Sequence, residues 1–174
     1  MRVISGIYKG RNLKGFTIEG TRPTMARVKE SVFAMLQNEI QGKKVLDLFA
    51  GSGALGIEAL SNGAISCLFV DNNKIACDTL KENTKGMKQV SILKADFLTY
   101  LKNTKEQFDL IFLDPPYNKN LLVPAITLIE ERNLLRKNGL LFCEYEKEEF
   151  TSTFSLWKEK KYGSTYIRIY KNNH

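Results

Sequence analysis

The sequence predicts an α/β fold, with a mostly parallel sheet and helices on both faces. From residue 43 onward, short apolar runs alternate with segments of helical length, which is the pattern of βαβ units. A run at residues 108–113, apolar at every position except Asp109, stops at Asp114-Pro115-Pro116-Tyr117, as expected for a strand buried on both faces. A glycine-rich turn at residues 51–56 joins another such strand to a helix. Together these observations predict a ligand site at the carboxyl ends of the strands.

The individual elements follow from the same patterns. The predicted strands are residues 45–48, 66–70, 90–93, 109–113 and 139–145, and the predicted helices are residues 54–62, 74–84, a short one to about 102, and 120–132. Pro124 fits only in the first turn of the last helix, where it removes no backbone hydrogen bond. Two strand-like runs around Tyr162-Gly163-Ser164 predict a closing antiparallel hairpin over residues 153–171.

The first 42 residues are predicted to form an extension packed on a core domain of residues 43–174. Residues 1–18 alternate loosely and predict one or two short strands or a β-hairpin. Thr24 can cap a helix that continues to about Gln41. This helix has an apolar stripe at a spacing of four, formed by Val28, Val32, Leu36 and Ile40.

The charge of the chain is concentrated in this extension. Of the net +7, residues 1–29 hold seven basic residues against one acidic residue, whereas the remaining 145 residues hold 19 basic and 18 acidic. A basic arm on a near-neutral body suggests a polyanionic partner such as nucleic acid. The alternative is a solvated, lysine-rich surface.

Other parts of the sequence exclude several classes of protein. No apolar run of about 18 residues predicts a transmembrane helix, and the N-terminus lacks the apolar stretch of a signal peptide. The three cysteines are scattered, and the single histidine is terminal. This distribution predicts reduced thiols in a cytoplasmic protein, without a disulfide framework or a catalytic metal.

The glycine turn has the spacing Gly51-x-Gly53-x-x-Gly56, which also matches dinucleotide-binding proteins. Asp71, 20 residues after Gly51, can hydrogen-bond a ribose diol. The carboxylate of Asp47 suits a cationic ligand better than a pyrophosphate, and no hydride transfer requires Asp-Pro-Pro-Tyr. These two features favour a ligand other than NAD. The alternative is a tight strand–helix connection that binds no ligand.

The third predicted strand ends near Asp96-Phe97. A carboxylate at this position can accept a hydrogen bond from an adenine amine, and Phe97 can pack on the ring. Asp96 can equally serve as the N-cap of the short helix that follows. The two roles are compatible.

The Asp-Pro-Pro-Tyr turn suits the methylation of an exocyclic amine. The lone pair of such an amine is delocalised into the base, so acceptors for its two hydrogens favour a nucleophilic nitrogen. Asp114 offers a carboxylate and Pro115 a carbonyl fixed by the rigid turn, which stabilise the charge that develops on nitrogen. Tyr117 offers a ring on which an extruded base can stack. A sulfonium methyl in line with the nitrogen then permits direct displacement.

These motifs resemble the Rossmann-like class I S-adenosylmethionine-dependent methyltransferases that modify exocyclic amines. The N-terminal pattern narrows the resemblance to the bacterial RsmD family, through Arg2-Val3-Ile4-Ser5-Gly6-x-Tyr8-Lys9-Gly10-Arg11 and Thr21-Arg22-Pro23-Thr24-x-x-Arg27. Members of that family methylate a guanine N2 of small-subunit (16S) ribosomal RNA. The resemblance covers essentially the whole chain, and it implies a seven-stranded sheet that ends in the antiparallel hairpin.

The resemblance also implies roles for individual residues. The expected catalytic residues are Asp114, Pro115, Pro116 and Tyr117. The residues expected to bind S-adenosylmethionine are Asp47, Phe49, Gly51, Ser52, Gly53, Asp71, Asn72, Asp96 and Phe97. The residues expected to meet RNA are Arg2, Lys9, Arg11, Arg22, Thr24 and Arg27. The implied partner is ribosomal RNA or an assembling small subunit, and nothing in the sequence demands a dimer.

Three other functions are compatible with parts of the sequence. An adenine-N6 DNA methyltransferase can use the same tetrapeptide, although it usually needs extra surface to read base edges. A non-catalytic RNA-binding module would need neither the residues that bind the cofactor nor those that hold the target amine. A nucleotide-binding oxidoreductase shares the glycine turn but has no use for the tetrapeptide.

Overall fold

The computed structural model describes residues 1–15 and 25–174 of the chain. The helices in these ranges are α1 Met25–Met35, α2 Ala54–Ser61, α3 Lys74–Asn83, α4 Phe97–Asn103 and α5 Leu122–Glu131. The strands are β1 Lys44–Asp47, β2 Ser66–Asp71, β3 Val90–Lys94, β4 Phe108–Leu113, β5 Leu135–Tyr145, β6 Ser155–Tyr162 and β7 Thr165–Lys171. None of these helices is long and apolar enough to cross a membrane.

The seven strands form one sheet in the order β3-β2-β1-β4-β5-β7-β6. The first five strands in that order run parallel, whereas β7 is antiparallel to both β5 and β6. The predicted mostly parallel sheet with a terminal antiparallel hairpin is therefore confirmed. The strand order reverses direction between β1 and β4, which creates the crevice where open α/β sheets bind ligands.

The core lies on both faces of the sheet because the central strands are buried on both sides. In β4, five of the six residues are buried and only Asp109 is partly exposed. On one face α1 covers the sheet, and its Phe33 ring lies 5.9 Å from that of Phe112. On the other face the buried residues of α5 pack with apolar residues of β4 and β5. The nearly continuous apolar run of β4 is thus the sequence signature of this double burial.

The predicted elements agree with the observed ones in kind and differ at some ends. Pro124 is the third residue of α5, so it does lie in the first turn. The closing hairpin turns through Gly163 and Ser164 alone. The predicted start of β5 at Gly139 is wrong, because the strand begins at Leu135 and pairs with β4 through an irregular register.

The predicted end of α1 at Gln41 is also wrong, because the helix ends at Met35. The Glu39 N–H donates to the Leu36 carbonyl (2.8 Å), so the chain tightens into a turn after the helix. This turn still carries Ile40 into the core, where it is 1% exposed. The apolar spacing predicted which residues are buried but not where the helix stops.

The N-terminal segment is predicted to form short strands or a hairpin. It does turn back on itself in an antiparallel sense, but the pairing is a single bridge between Arg2 and Asn12. Strands do not develop because the intervening backbone bonds to α2 instead. The Ile7 N–H donates to the Ser61 carbonyl (2.9 Å), and the Tyr8 N–H donates to Ser61 Oγ (2.9 Å).

Candidate active site

The carboxyl ends of four adjacent strands bring the predicted acidic residues together. Asp47 ends β1 and Asp71 ends β2. Asp96 follows β3 by two residues, and Asp114 directly follows β4. Because these strands are parallel neighbours in the sheet, all four carboxylates lie along one edge. This is the arrangement that the sequence predicted.

Asp47 is buried beneath the glycine turn and is 1% exposed. Its Oδ2 accepts the Gly56 N–H of α2 (3.1 Å). Burial raises the pKa of Asp47 well above its ordinary value; the Gly56 hydrogen bond opposes this shift, and the charges of Asp114 and Asp71 add to it. The carboxylate therefore anchors the helix start and is electrostatically linked to both neighbouring sites.

Gly56 allows α2 to lie close against the sheet. A Cβ atom at this position would stand 2.4 Å from the Phe69 ring and 2.7 Å from Cys67 Sγ. Neither neighbour can move easily, because both are buried in β2. The third glycine of the motif is therefore required for helix–strand packing.

Gly51 has a different role from Gly56. It has a φ of +55°, and a Cβ atom there would meet nothing within 4 Å, so the backbone faces open space. Its N–H donates to Asp71 Oδ2 (2.9 Å), and the Asn73 N–H donates to Asp71 Oδ1 (2.9 Å). Asp71 thereby ties the glycine turn to the loop after β2.

The other predicted cofactor residues border the same turn. The Ser52 carbonyl accepts from Asn83 Nδ2 (2.9 Å), which fixes the turn against α3, while Asn72 is exposed. The Phe49 and Phe97 rings lie 4.8 Å apart at a tilt of 51°. Both rings are partly exposed, so they form an apolar wall at the carboxyl edge of the sheet.

Asp96 is the N-cap of α4. Its Oδ2 accepts the Thr99 N–H (3.0 Å) and lies 3.3 Å from Thr99 Oγ1. The side chain is exposed. The prediction that Asp96 caps the helix is confirmed, and its role towards adenine stays a prediction.

The Asp-Pro-Pro-Tyr turn borders a shallow recess at the end of β4. Pro115 is buried, Pro116 is exposed, and Tyr117 is half-buried. Burial raises the pKa of the Asp114 carboxyl, and a hydrogen bond with the Glu144 side chain opposes this shift. The recess is lined by Tyr117, Glu144 and both prolines. A carboxyl pair therefore stands where the sequence predicted one carboxylate.

Glu144 is the functional candidate that sequence reasoning missed. Leu113 of β4 pairs with Cys143 of β5, so the next residue on each strand, Asp114 and Glu144, is also a neighbour. The available signal was a charged residue directly after the apolar run at residues 140–143. That signal could not be interpreted without knowing which strand lies beside β4.

Glu58 holds the N-terminal segment against α2. This fully buried carboxylate accepts the Ile4 N–H (2.9 Å) at Oε1 and the Ser5 N–H (3.1 Å) at Oε2. Oε1 also pairs with Lys29 Nζ (3.1 Å), and Lys29 Nζ donates to the Arg2 carbonyl (2.9 Å). The segment and α1 are thus fixed to the helix that begins at the glycine turn.

The predicted RNA-binding side chains are only partly available for a partner. Arg2, Lys9 and Arg27 are exposed, whereas Arg11 is half-buried. The Arg11 guanidinium donates to the Lys85 carbonyl (2.7 Å), so part of its function is structural. The other two predicted residues, Arg22 and Thr24, lie outside the described ranges.

A family model described as "Conserved hypothetical protein 95" matches residues 1–171 of this chain. The ribosomal RNA small subunit methyltransferase D of Haemophilus influenzae is 40% identical over 99% of this chain and 94% of its own length. The putative rRNA methyltransferase YlbH of Bacillus subtilis is 41% identical, with 98% of each chain covered. The chain belongs to the RsmD family. The predicted resemblance is therefore confirmed.

Solved structures agree with the RsmD assignment. A putative methyltransferase of Escherichia coli, yhhF, superimposes with a TM-score of 0.90 at 32% identity, covering 99% of this chain and 97% of that one. A putative methylase of Haemophilus influenzae gives a TM-score of 0.84 at 36% identity, with coverage of 99% and 98%. A Thermus thermophilus 16S rRNA N2 methyltransferase, RsmC, in complex with AdoMet and guanosine gives 0.68 at 20% identity over 90% of this chain and 45% of that one. This last similarity shows the shared class I methyltransferase fold alone.

Proposed function

We propose that this protein transfers a methyl group from S-adenosylmethionine to the exocyclic N2 amine of a guanine in small-subunit (16S) ribosomal RNA. The observation that carries the proposal is the position of Asp114. It stands at the end of β4, next to the strand that leads into the glycine turn. Relatives that match nearly the whole chain are named small-subunit ribosomal RNA methyltransferases.

The carboxyl edge of the sheet has the features that this cofactor requires. The open space at Gly51 lets a ligand approach the backbone closely. Asp71 supplies acceptors for ribose hydroxyls, and the Phe49–Phe97 wall supplies an apolar surface for adenine. A cationic methionine portion bound beside Asp47 favours the ionised carboxylate, which burial disfavours in the unliganded protein. The remaining residues proposed to line this site are Ser52, Gly53, Asn72 and Asp96.

S-adenosylmethionine, when bound, supplies an electrophilic methyl group on a sulfonium centre. The protein residues prepare the nitrogen that attacks it. In our proposal Asp114 and the Pro115 carbonyl each accept one hydrogen of the target amine, which frees the lone pair and stabilises the charge that develops on nitrogen. Pro116 keeps the turn rigid, and Tyr117 provides the ring on which the extruded base stacks.

Guanine is proposed because of the N-terminal segment and the names of the relatives. Exposed Arg2, Lys9 and Arg27 can each neutralise an RNA phosphate, and the half-buried Arg11 lies in the same segment. The resemblance extends this surface to Arg22 and Thr24. We further propose a cytoplasmic monomer that acts on ribosomal RNA or on an assembling small subunit.

The test is methyl transfer from labelled S-adenosylmethionine to four substrates side by side. These are assembled small subunits, naked 16S RNA, large subunits and duplex DNA. The expected result is label in the small-subunit samples, identified as N2-methylguanosine by mass spectrometry of the digested RNA. Label in DNA alone would support the adenine-N6 alternative, and RNA binding without label would support a non-catalytic module.

A further inference from the structure

Asn83 lies buried at the end of α3, between the glycine turn and the N-terminal segment. It is the last residue of the helix and is 4% exposed. Its Nδ2 donates to the Ser52 carbonyl (2.9 Å) and to the Lys14 carbonyl (3.0 Å), and its Oδ1 accepts the Lys14 N–H (2.8 Å). One side chain therefore bonds both to the turn that is proposed to bind the cofactor and to the segment that is proposed to bind RNA.

The two bonds to Lys14 fix the orientation of the Asn83 amide. The N–H and the carbonyl of one residue match the acceptor and the donor of a side-chain amide, so the amide cannot rotate without losing both bonds. The two hydrogens of Nδ2 then serve the carbonyls of Lys14 and Ser52. The N-terminal segment thus holds the amide in the position from which it reaches the glycine turn.

The glycine turn depends on partners outside itself for its shape. Gly51 and Gly53, on either side of Ser52, have φ values of +55° and +86°. Because glycine is free to adopt many backbone conformations, these two residues do little to fix the peptide groups between them. Asp71 accepts the Gly51 N–H (2.9 Å), and Asn83 holds the Ser52 carbonyl. A cofactor that lies against this backbone therefore meets a conformation that Asn83 helps to set.

Other contacts of the N-terminal segment do not extend to the turn. The Arg11 guanidinium donates to the Lys85 carbonyl (2.7 Å), and Ser5 Oγ donates to Asn62 Oδ1 (3.0 Å). These bonds attach the segment to the ends of α3 and α2. Asparagine is a weak helix former, so the bonds to the segment and the turn, rather than the needs of the helix, explain Asn83 in the last turn of α3.

We propose that Asn83 is a positioning residue that couples the cofactor site to the RNA-binding segment. S-adenosylmethionine bound at the glycine turn stabilises the bond to Ser52 and with it the bonds to Lys14, so the segment becomes more ordered. RNA bound to the segment strengthens cofactor binding by the same factor, since coupling between two sites is reciprocal. The inference rests on the proposed function and extends it to the way in which the two substrates affect each other.

The first test measures the segment in the wild-type protein without RNA. Hydrogen exchange at the Lys14 amide, followed by NMR, reports the opening of its bond to Asn83. Saturating S-adenosylmethionine should slow this exchange by about tenfold. In Asn83→Ala the exchange should be fast, and the cofactor should not slow it. If Asn83 only satisfied buried backbone groups, the wild-type rate would be the same with and without the cofactor.

The second test measures cofactor affinity by calorimetric titration. Asn83→Ala should weaken the binding of S-adenosylmethionine by about tenfold. Asn83→Asp should behave similarly, because it keeps an acceptor for the Lys14 N–H but offers no donor to the Ser52 carbonyl. The matched control is Asn62→Ala, which removes a bond to the same segment without touching the turn. Its cofactor affinity should remain within about twofold of wild type.

The third test measures the reciprocal effect on RNA. Filter binding of 16S RNA is compared with and without S-adenosylhomocysteine, which occupies the cofactor site but has no methyl group to transfer. RNA affinity should rise by about tenfold in the wild type and in Asn62→Ala. It should not change in Asn83→Ala.

The outcomes separate this inference from the proposed function. An unchanged Lys14 exchange rate in the wild type at saturating cofactor refutes the coupling, and this measurement does not require any variant to fold. Equal losses of cofactor affinity and of unfolding temperature in Asn83→Ala and Asn62→Ala show a structural role and also refute it. A wild type that binds no S-adenosylmethionine refutes the proposed function, whereas one that binds it without a change at Lys14 refutes the coupling alone.

Discussion

Two sites in the described part of the chain bury a glutamate carboxylate, one beneath the N-terminal segment and one beside the Asp-Pro-Pro-Tyr turn. Glu58 is 0% exposed and meets a lysine ammonium and two backbone N–H groups. Glu144 is 8% exposed and lies beside Asp114 at the end of the neighbouring strand. The two glutamates are similarly buried, yet Glu58 lies against a lysine, whereas the neighbouring strand places Asp114 beside Glu144.

This difference distinguishes a structural site from a reactive one. The charge of Glu58 is balanced by Lys29, and its oxygens satisfy backbone donors that would otherwise be buried unpaired, so the site can only hold the fold together. The acidic pair of Glu144 and Asp114 lies instead at the ligand-binding edge, and burial raises the pKa of its Asp114 carboxyl. Perturbed carboxylates concentrated at a ligand-binding edge are a frequent mark of functional sites.

The largest expected effect is on catalysis at the acidic pair. Asp114→Ala should lower turnover by about 10³-fold, which corresponds to about 4 kcal/mol, because the amine loses its anionic acceptor. Affinity for S-adenosylmethionine should change little, since Asp114 acts on the amine. Single-turnover rates and calorimetric titration measure the two quantities. Collapse of cofactor binding would mean that Asp114 belongs to the cofactor site.

The second-largest effect is expected on the stability of the fold, at Glu58. Glu58→Ala should cost about 3 kcal/mol in the free energy of unfolding, because it leaves the Lys29 charge buried without a partner. Hydrogen exchange at the Ile4 and Ser5 amides should accelerate. Urea unfolding and exchange mass spectrometry measure these changes.

The matched control for Glu58 is an exposed pair. Glu82 Oε2 lies 2.9 Å from Lys14 Nζ, and both side chains are more than half exposed. Glu82→Ala should therefore cost less than about 1 kcal/mol. Equal losses in the two variants would show that the buried ion pair has no special structural role.

A smaller, pH-dependent effect is expected at Asp47. Its raised pKa means that its ionised form is disfavoured in the folded state. The stability associated with the protonated group is complete below the unfolded pKa of about 4 and is lost as the pH rises through the folded pKa.

Asp47→Asn keeps an acceptor for the Gly56 N–H without the charge. The variant should therefore gain on the wild type as pH rises, by about 1.4 kcal/mol for each unit by which the folded pKa is raised. Urea unfolding between pH 4 and 8 measures the difference, and Asp78→Asn at an exposed position controls for loss of a charge. A difference that does not vary with pH would contradict the buried-charge interpretation.

The smallest expected effect concerns RNA affinity. The double change Lys9→Ala and Arg27→Ala removes two exposed charges from the proposed RNA surface. The slope of log affinity against log salt should flatten by about 0.7 to 0.9 for each phosphate that the variant no longer neutralises. Filter binding at several salt concentrations measures it, with the exposed Lys102→Ala on α4 as a control. An unchanged slope would show that RNA is bound elsewhere.

Local patterns were sufficient to predict the central architecture. The run of β4 identified a strand buried on both faces, and the glycine spacing at residues 51–56 identified a strand–helix turn. Once parallel β-α units are inferred, their carboxyl ends must share one edge. Asp47, Asp71 and Asp114 could therefore be grouped from the sequence alone.

The contacts that connect distant segments could not be predicted in this way. Glu58 bonds to residues more than 50 positions earlier in the chain, and within the amphipathic pattern of α2 it resembles any solvated acidic residue. The N-terminal segment was expected to form strands because its partner was not known to be a helix. Similarly, Glu144 could be interpreted only after β5 was aligned with β4.

The sequence by itself determined the fold class, the family and the acidic edge, because apolar periodicity, glycine spacing and the proline turn act over a few residues. Tertiary structure alone decided how the buried carboxylates are partnered. Glu58 lies against the Lys29 ammonium, and Asp114 lies beside Glu144 of the neighbouring strand, since burial, strand register and the approach of distant backbone set the electrostatics of each site.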